Sequence, residues 1–162
     1  MNMTHYMELL AVNQPWNLLI FMAIPVILAE TVAITELYVL FTRNYKGTIR
    51  QINRIAGIAV GFYFLVIFFY LLSKAVVPIT VAGEWRTIID VIAVSFYLLG
   101  VVPLAGIALL EIGAIWRTKS QEWKLGVHAI GVAIFLFVAH VAMIFGMLNP
   151  ALLTGDMMMH SM

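Results

Sequence analysis

The stretch that most constrains the fold is the 26-residue run from Trp16 to Phe41, which contains no lysine or arginine. A helix of about 20 apolar residues is long enough to cross a bilayer core. Two carboxylates, Glu30 and Glu36, nevertheless lie inside this run, although a charge near the bilayer centre costs ~2.5–3.5 kcal/mol on insertion scales. Pro25 predicts a bend five residues before the first of them. We therefore expect a first transmembrane helix whose acids need a buried partner, a bound ion or a proton.

The composition indicates an integral membrane protein, because 64% of the residues are hydrophobic and only 10% are charged. Cysteine is absent, which excludes disulfides, thiolate metal sites and cysteine nucleophiles. A net charge of +1 argues against nucleic acid as a partner. Residues 1–15 have no lysine or arginine, so they lack the basic region of a cleavable signal peptide and we expect them to be retained.

Four hydrophobic segments predict four membrane-spanning helices joined by short linkers. Short linkers place consecutive helices side by side and antiparallel. The sequence thus predicts an all-α fold, a single four-helix bundle that occupies residues 1–162 in contact with the lipid bilayer. The predicted spans are residues 16–41, 54–73, 88–116 and 125–148.

The distribution of basic residues predicts the orientation of this bundle. Seven of the nine lysines and arginines flank the first and third linkers. Since positive residues accumulate on the cytoplasmic side, both termini are expected to face outward. The expected location is the inner membrane of a bacterium, with both termini in the periplasm.

Methionine and histidine give the first functional hypothesis. Under this orientation all ten methionines lie outside or in the outer half of the membrane, and seven of them are in the two termini. Thioether and imidazole groups suit Cu(I), and thioethers persist in an oxidising compartment. Methionine is also a common packing residue, which is the alternative for those within helices. The predicted ligands of a soft cation, with copper the expected metal, are His5, Met22, His140, Met143, Met147, Met158, Met159 and His160.

A second hypothesis concerns an intramembrane polar site. Glu36, Glu111 and His128 are expected at comparable depth on three helices, and Glu30 lies deeper in the membrane. Such groups bind a cation or carry protons, because ionisable residues are costly inside a bilayer. No Glu-x-x-His pair is present, so the di-iron carboxylate signature is missing. The alternative is a static network in which the acids are protonated or paired with His128 or Arg54.

Two further alternatives remain open at this stage. His128 and His140 suggest a b-type haem or quinone-linked redox subunit. They lie on one helix, twelve residues and about 120° apart, so ligation by two histidines would need a dimer. An accessory subunit with structural acids is the other alternative. No catalytic or nucleotide motif predicts an enzyme, and four helices are few for a monomeric transporter, so a homo-oligomer or larger membrane complex is expected.

Three segments carry a family resemblance: the NQPWN run at residues 13–17, the helix with Pro25, Glu30 and Glu36, and the segment at residues 140–150. Together they resemble a group of small, uncharacterised bacterial inner-membrane proteins, some of which are labelled permeases. The resemblance covers most of the chain. It implies four helices and no settled activity, so it assigns no functional residue.

Overall fold

The computed structural model describes residues 4–149, which form helices joined by short loops, with no strand in that range. A short helix, α1, precedes four long helices. Each long helix is apolar enough to span a membrane, which confirms the predicted all-α, four-helix membrane fold. The helices are α1 (His5–Ala11), α2 (Trp16–Thr42), α3 (Thr48–Ala82), α4 (Ile88–Glu111) and α5 (Gln121–Met147).

The second span is longer than predicted, because α3 begins at Thr48 rather than near residue 54 and continues to Ala82. Its first turns contain the polar sequence TIRQINR, which was expected to belong to a linker. Arg50 and Asn53 in these turns are buried against the other helices. Tertiary contacts of these polar side chains therefore extend the helix beyond its hydrophobic segment.

The predicted bounds of the last two spans also differ from the structure, and local backbone chemistry explains both differences. Helix α4 ends at Glu111 instead of residue 116. Gly113 follows with a positive φ of 78°, a left-handed conformation at which an α-helix ends. Helix α5 begins at Gln121 instead of residue 125. The Ser120 side chain accepts a hydrogen bond from the backbone N–H of Trp123 and caps this helix.

Wide π-helical turns precede the prolines of α2 and α3. They span Leu19–Ala23 before Pro25 and Leu72–Val76 before Pro78. A proline lacks the N–H that an α-helix needs and its ring crowds the preceding turn, and a π turn accommodates both defects. The bend predicted near Pro25 thus takes the form of a π turn.

The four long helices form a closed ring in which each packs on its two sequence neighbours and α5 returns to α2. Val32, Val60, Leu104 and Val132, one from each helix, are buried near the middle of the bundle. Helices α3 and α4 approach each other closely at Gly61. A Cβ atom there would lie 2.6 Å from the carbonyl oxygen of Leu104.

Helix α1 lies across one end of the bundle, which we call the N-terminal end. The Thr4 hydroxyl donates to the Gly146 carbonyl at 2.6 Å, and the His5 backbone N–H donates to Asp90 at 2.7 Å. Tyr6 packs on the bare backbone of Gly146 and is buried. Loops 43–47 and 112–120 lie at the opposite end, the basic end.

Candidate functional site

A cavity of about 160 Å³ lies between α2 and α5 under the N-terminal helix, and it gathers several of the predicted ligands. Met22 and Glu30 line it from α2, and His140 and Met143 line it from α5. We call this cavity the methionine pocket. Its remaining walls are mostly aromatic and include Tyr6, Phe21, Phe64, Tyr97 and Phe135.

The ring of His140 has a defined orientation in this pocket. Its Nδ1 atom lies 2.6 Å from the backbone carbonyl oxygen of Leu136. Because a carbonyl oxygen can only accept, Nδ1 carries a hydrogen, and in the neutral ring Nε2 then has the free lone pair. Metal-binding histidines commonly use one nitrogen in this way to orient the other. In its neutral form His140 therefore presents Nε2 as a nitrogen that can act as a ligand.

The methionine pocket opens sideways between its two helices. Glu30, near the middle of α2, and His140, about two turns before the end of α5, both line the pocket and are both exposed on the protein surface. The side chains of Met22 and Met143 are half-buried beside them. A carboxylate at this depth needs a proton or a cation, because hydrocarbon does not solvate charge. The pocket thus combines a carboxyl group with thioether and imidazole donors.

The other predicted ligands are placed elsewhere. Met147 is 69% exposed near the end of α5 and does not line the pocket. Met158, Met159 and His160 lie outside the described residues. Among residues 4–149 no group of three or more histidines and carboxylates is arranged to hold a metal ion. Any metal in the pocket would therefore depend on methionine sulfur as well as on imidazole and carboxylate.

His5 contacts Asp90 through its Nδ1 atom, and Asp90 is fully buried. A short ion pair between Glu8 and Arg86, at 2.5 Å, also holds α1 against the bundle. The side chain of His5 remains 19% exposed. Its contact with a carboxylate is again the orientation found for metal-bound histidines, although His5 does not line the methionine pocket.

A second polar cluster lies toward the basic end and is almost completely buried. We call it the buried polar network. Its members are at most 7% exposed, and they come from all four long helices. They are Glu36, Arg50, Asn53, Glu111 and His128.

Arg50 is the cationic member of this network. Its Nη2 atom lies 2.7 Å from Oε1 of Glu111, and its Nη1 atom donates to Asn53 at 2.9 Å. The Asn53 amide in turn donates to the Val32 carbonyl and the Thr35 hydroxyl, both at 3.1 Å. These bonds join α2, α3 and α4 and neutralise the Glu111 carboxylate.

His128 lies between two carboxylates. Its Nε2 atom is 3.2 Å from Glu111, and its Nδ1 atom is 3.9 Å from Glu36. Neither Glu36 oxygen accepts a hydrogen bond from any described residue. Since an isolated buried charge is very costly, Glu36 and His128 must together carry no net charge. The pair therefore carries one acidic proton, on the Glu36 carboxyl or on the His128 ring, although at 3.9 Å no hydrogen bond joins the two groups.

The network contains three of the four predicted intramembrane residues, and Glu30 is the exception. Six residues separate Glu30 from Glu36, which places them about 120° apart around a helix. Glu36 consequently points into the bundle while Glu30 lines the methionine pocket. The alternative of a static network paired with His128 or Arg54 fits the contacts of Glu111, because its carboxylate lies 3.2 Å from His128 Nε2 and 3.8 Å from Arg54 Nε.

Sequence reasoning missed Arg50 and Asn53, which it assigned to a basic linker. Helical spacing could have found them. Arg50, Asn53 and Gly57 follow one another at intervals of three and four residues, on the same face as the buried Val60 and Phe64. A polar side chain that continues the buried face of a transmembrane helix is a candidate for an internal network.

The fold and its two polar sites define a multi-pass membrane protein that shelters ionisable side chains within a four-helix bundle. The chain belongs to DUF6803, a family of unknown function whose profile matches residues 1–162. Comparison with curated proteins and with solved structures gives no match.

Proposed function

We propose that this protein handles a soft cation, Cu(I) being the expected ion, and binds it in the methionine pocket. The observation that carries the proposal is the convergence of Met22, Glu30, His140 and Met143 on one cavity of about 160 Å³. Met22 and Glu30 on α2 are more than a hundred positions in the sequence from His140 and Met143 on α5. A packing role alone would not require an oriented histidine and a carboxylate beside the two thioethers.

The chemistry of the donors suits a monovalent soft cation. Thioether sulfur and imidazole nitrogen prefer Cu(I), whereas Mg²⁺ and Ca²⁺ prefer sites made of oxygen atoms. The single carboxylate of Glu30 would balance the single charge of Cu(I). A site without net charge is favourable where lipid surrounds it, because a bilayer penalises any unbalanced charge.

The termini are proposed to deliver the ion to this pocket. Helix α1 places Met7 and His5 at the N-terminal end, and α5 ends at Met147 at the same end. The described chain therefore begins and ends at the end of the bundle that holds the pocket. The basic loops at the opposite end favour an inner-membrane location with this end facing the periplasm.

The apolar layer below the pocket favours a binding or relay role over an open channel. Ala29, Val32, Val60 and Val132 are buried between the methionine pocket and the buried polar network. Passage across this layer would require the helices to rearrange, and the proton held by Glu36 and His128 would then be available for exchange. The sideways opening of the pocket is consistent with a homo-oligomer or a larger membrane complex that covers it.

The geometry gives less support to a haem. Both nitrogens of His128 face carboxylates, and the pocket beside His140 is smaller than the ~300–1,000 Å³ usual for small-molecule sites. An absorption spectrum with a Soret band would nevertheless favour the redox alternative. Purification without metal or haem, but with partner subunits, would favour the accessory subunit.

Cu(I) titration of the full chain in lipid nanodiscs, against a chromogenic Cu(I) chelator, tests the proposal. The variant Met22→Leu/Met143→Leu removes both pocket sulfurs at nearly constant volume. We expect the Cu(I) affinity of its tightest site to fall by more than ~10–100-fold, which is the loss that follows removal of an outer-shell partner of a metal ligand.

Met147→Leu is the matched control, because it removes one sulfur from α5 outside the pocket. It should retain the affinity of the unmodified chain. Equal affinities for the unmodified chain, the double variant and the control would contradict a site in the methionine pocket.

A further inference from the structure

A larger cavity, of about 600 Å³, lies at the basic end, where the two basic loops meet the first turns of α3 and α5. We call it the basic vestibule. Five of the nine lysines and arginines of the chain line it, together with one carboxylate, that of Glu111. The five basic residues are Lys46, Arg50, Arg54, Arg117 and Lys124.

The cations of the vestibule differ in their surroundings. Arg50 is buried at its floor, where it is paired with Glu111. Lys46, Arg54 and Arg117 are exposed, and Lys124 is half-buried. The single carboxylate is therefore already neutralised at the floor. The wall and mouth carry a positive charge that the lining side chains do not balance.

The start of α3 adds to this positive potential. Gly47 is the N-cap of the helix and has no side chain to bond the first backbone N–H groups. Gly47 also lines the vestibule, so the N-terminus of the 35-residue helix α3 meets the cavity. Unpaired N–H groups and the helix dipole both favour an anion at such a position.

A topology signal alone does not explain this arrangement. Positive residues need only be on the cytoplasmic side of a membrane to orient a protein, and they need not surround one cavity. Arg43 and Lys119 belong to the same two loops but do not line the vestibule. The five lining residues come from both loops and from two helices, and they converge in the folded protein.

We infer that the basic vestibule binds a phosphate-bearing anion at the membrane surface. Its volume is within the ~300–1,000 Å³ usual for small-molecule sites. Arginine presents a planar group of donors that matches phosphate oxygens, and lysine adds a point charge. The phosphate can belong to the headgroup of an anionic phospholipid or to a soluble phosphorylated compound, because both present the same chemistry to the cavity.

Two measurements on the full chain separate these sources. In one, native mass spectrometry of the chain in micelles compares retention of phosphatidylglycerol with retention of phosphatidylcholine. In the other, calorimetry measures binding of inorganic phosphate and pyrophosphate to the chain in phosphatidylcholine nanodiscs. The variant Arg117→Gln/Lys124→Gln removes two cations of the vestibule. It should weaken whichever ligand binds by about tenfold or more, as expected for lost charge-assisted hydrogen bonds.

The matched control is Arg43→Gln/Lys119→Gln, which removes two positive charges from the basic loops at positions that do not line the cavity. Its affinity for phosphatidylglycerol and for the phosphates should equal that of the unmodified chain. Lys46→Gln, on the other side of the vestibule, provides a second variant should the first fold poorly. The inference is overturned if neither phosphatidylglycerol nor the phosphates bind selectively, or if the control loses as much affinity as the vestibule variants.

Discussion

Oε1 of Glu111 lies 3.2 Å from Nε2 of His128. The same carboxylate accepts the Arg50 guanidinium, so it is shared between a cation and an imidazole. Arg54 approaches it as well, with 3.8 Å between Nε and the nearer oxygen. Glu111 is therefore the residue through which α3, α4 and α5 are joined inside the bundle. Its removal should therefore destabilise the fold.

Glu111→Gln should lower the stability of the bundle strongly. The substitution leaves the Arg50 guanidinium buried without its counterion, and breaking a buried ion pair in this way costs ~3–5 kcal/mol. Thermal unfolding of the detergent-solubilised chain, followed by circular dichroism, measures the loss. Glu122→Gln, an exposed acid in the first turn of α5, is the control and should leave the midpoint nearly unchanged.

A double variant tests whether the loss comes from the ion pair itself. Arg50→Gln/Glu111→Gln removes both charges, so it should be less destabilised than the sum of the two single variants. Strict additivity would contradict the interaction between Arg50 and Glu111.

Glu36→Gln should be tolerated much better than Glu111→Gln. No described residue donates a hydrogen bond to the Glu36 carboxyl, and an uncharged amide of nearly the same shape can replace a protonated acid. Infrared difference spectroscopy should detect the carbonyl band of a protonated carboxylic acid that this substitution removes. Its persistence in the variant would show that the proton is held elsewhere.

Two glycine substitutions should have effects of opposite sign. Gly61→Ala places a Cβ atom against the Leu104 carbonyl and the Ala108 side chain, so α3 and α4 must separate. Gly106→Ala places a Cβ atom where nothing lies within 4 Å, and alanine favours a helix by up to ~1 kcal/mol over glycine. Unfolding midpoints should fall for the first variant and stay level or rise for the second. Similar midpoints would contradict the close helix contact.

Tyr6 should titrate at unusually high pH, because burial raises its pKa from 10.0 to about 12. A raised pKa means that docking of α1 favours the neutral phenol. That contribution is complete below pH 10.0 and is lost as the pH rises toward about 12. The tyrosinate absorbance of the unmodified chain minus that of Tyr6→Phe gives the titration curve of this residue. A midpoint near 10 would show that Tyr6 is not buried under the bundle end.

The sequence predicted the four spans because each is a long apolar segment, and bilayer thickness makes that signal strong. It also predicted that Glu36, Glu111 and His128 lie at similar depth. Depth does not fix the direction of a side chain, however. Glu30 and Glu36 were expected at one site, and their angular separation on α2 places them at two.

Contacts between distant segments were harder to predict. Arg86 and Asp90 have the i, i+4 spacing that predicts a local ion pair. In the structure Arg86 pairs with Glu8, and Asp90 binds the backbone and ring of His5. Only the docking of α1, which depends on Thr4 and Gly146, brings these partners together. Hydrophobic periodicity carries no information about such a contact.

The most direct test of the proposed cation site is methyl NMR of the full chain in nanodiscs, with labelled methionine methyl groups assigned by single Met→Leu variants. One equivalent of Cu(I) should shift the resonances of Met22 and Met143, which line the methionine pocket, and leave Met147 unchanged. Shifts confined to Met147 and the terminal methionines, with Met22 and Met143 unaffected, would contradict a soft-cation site between α2 and α5.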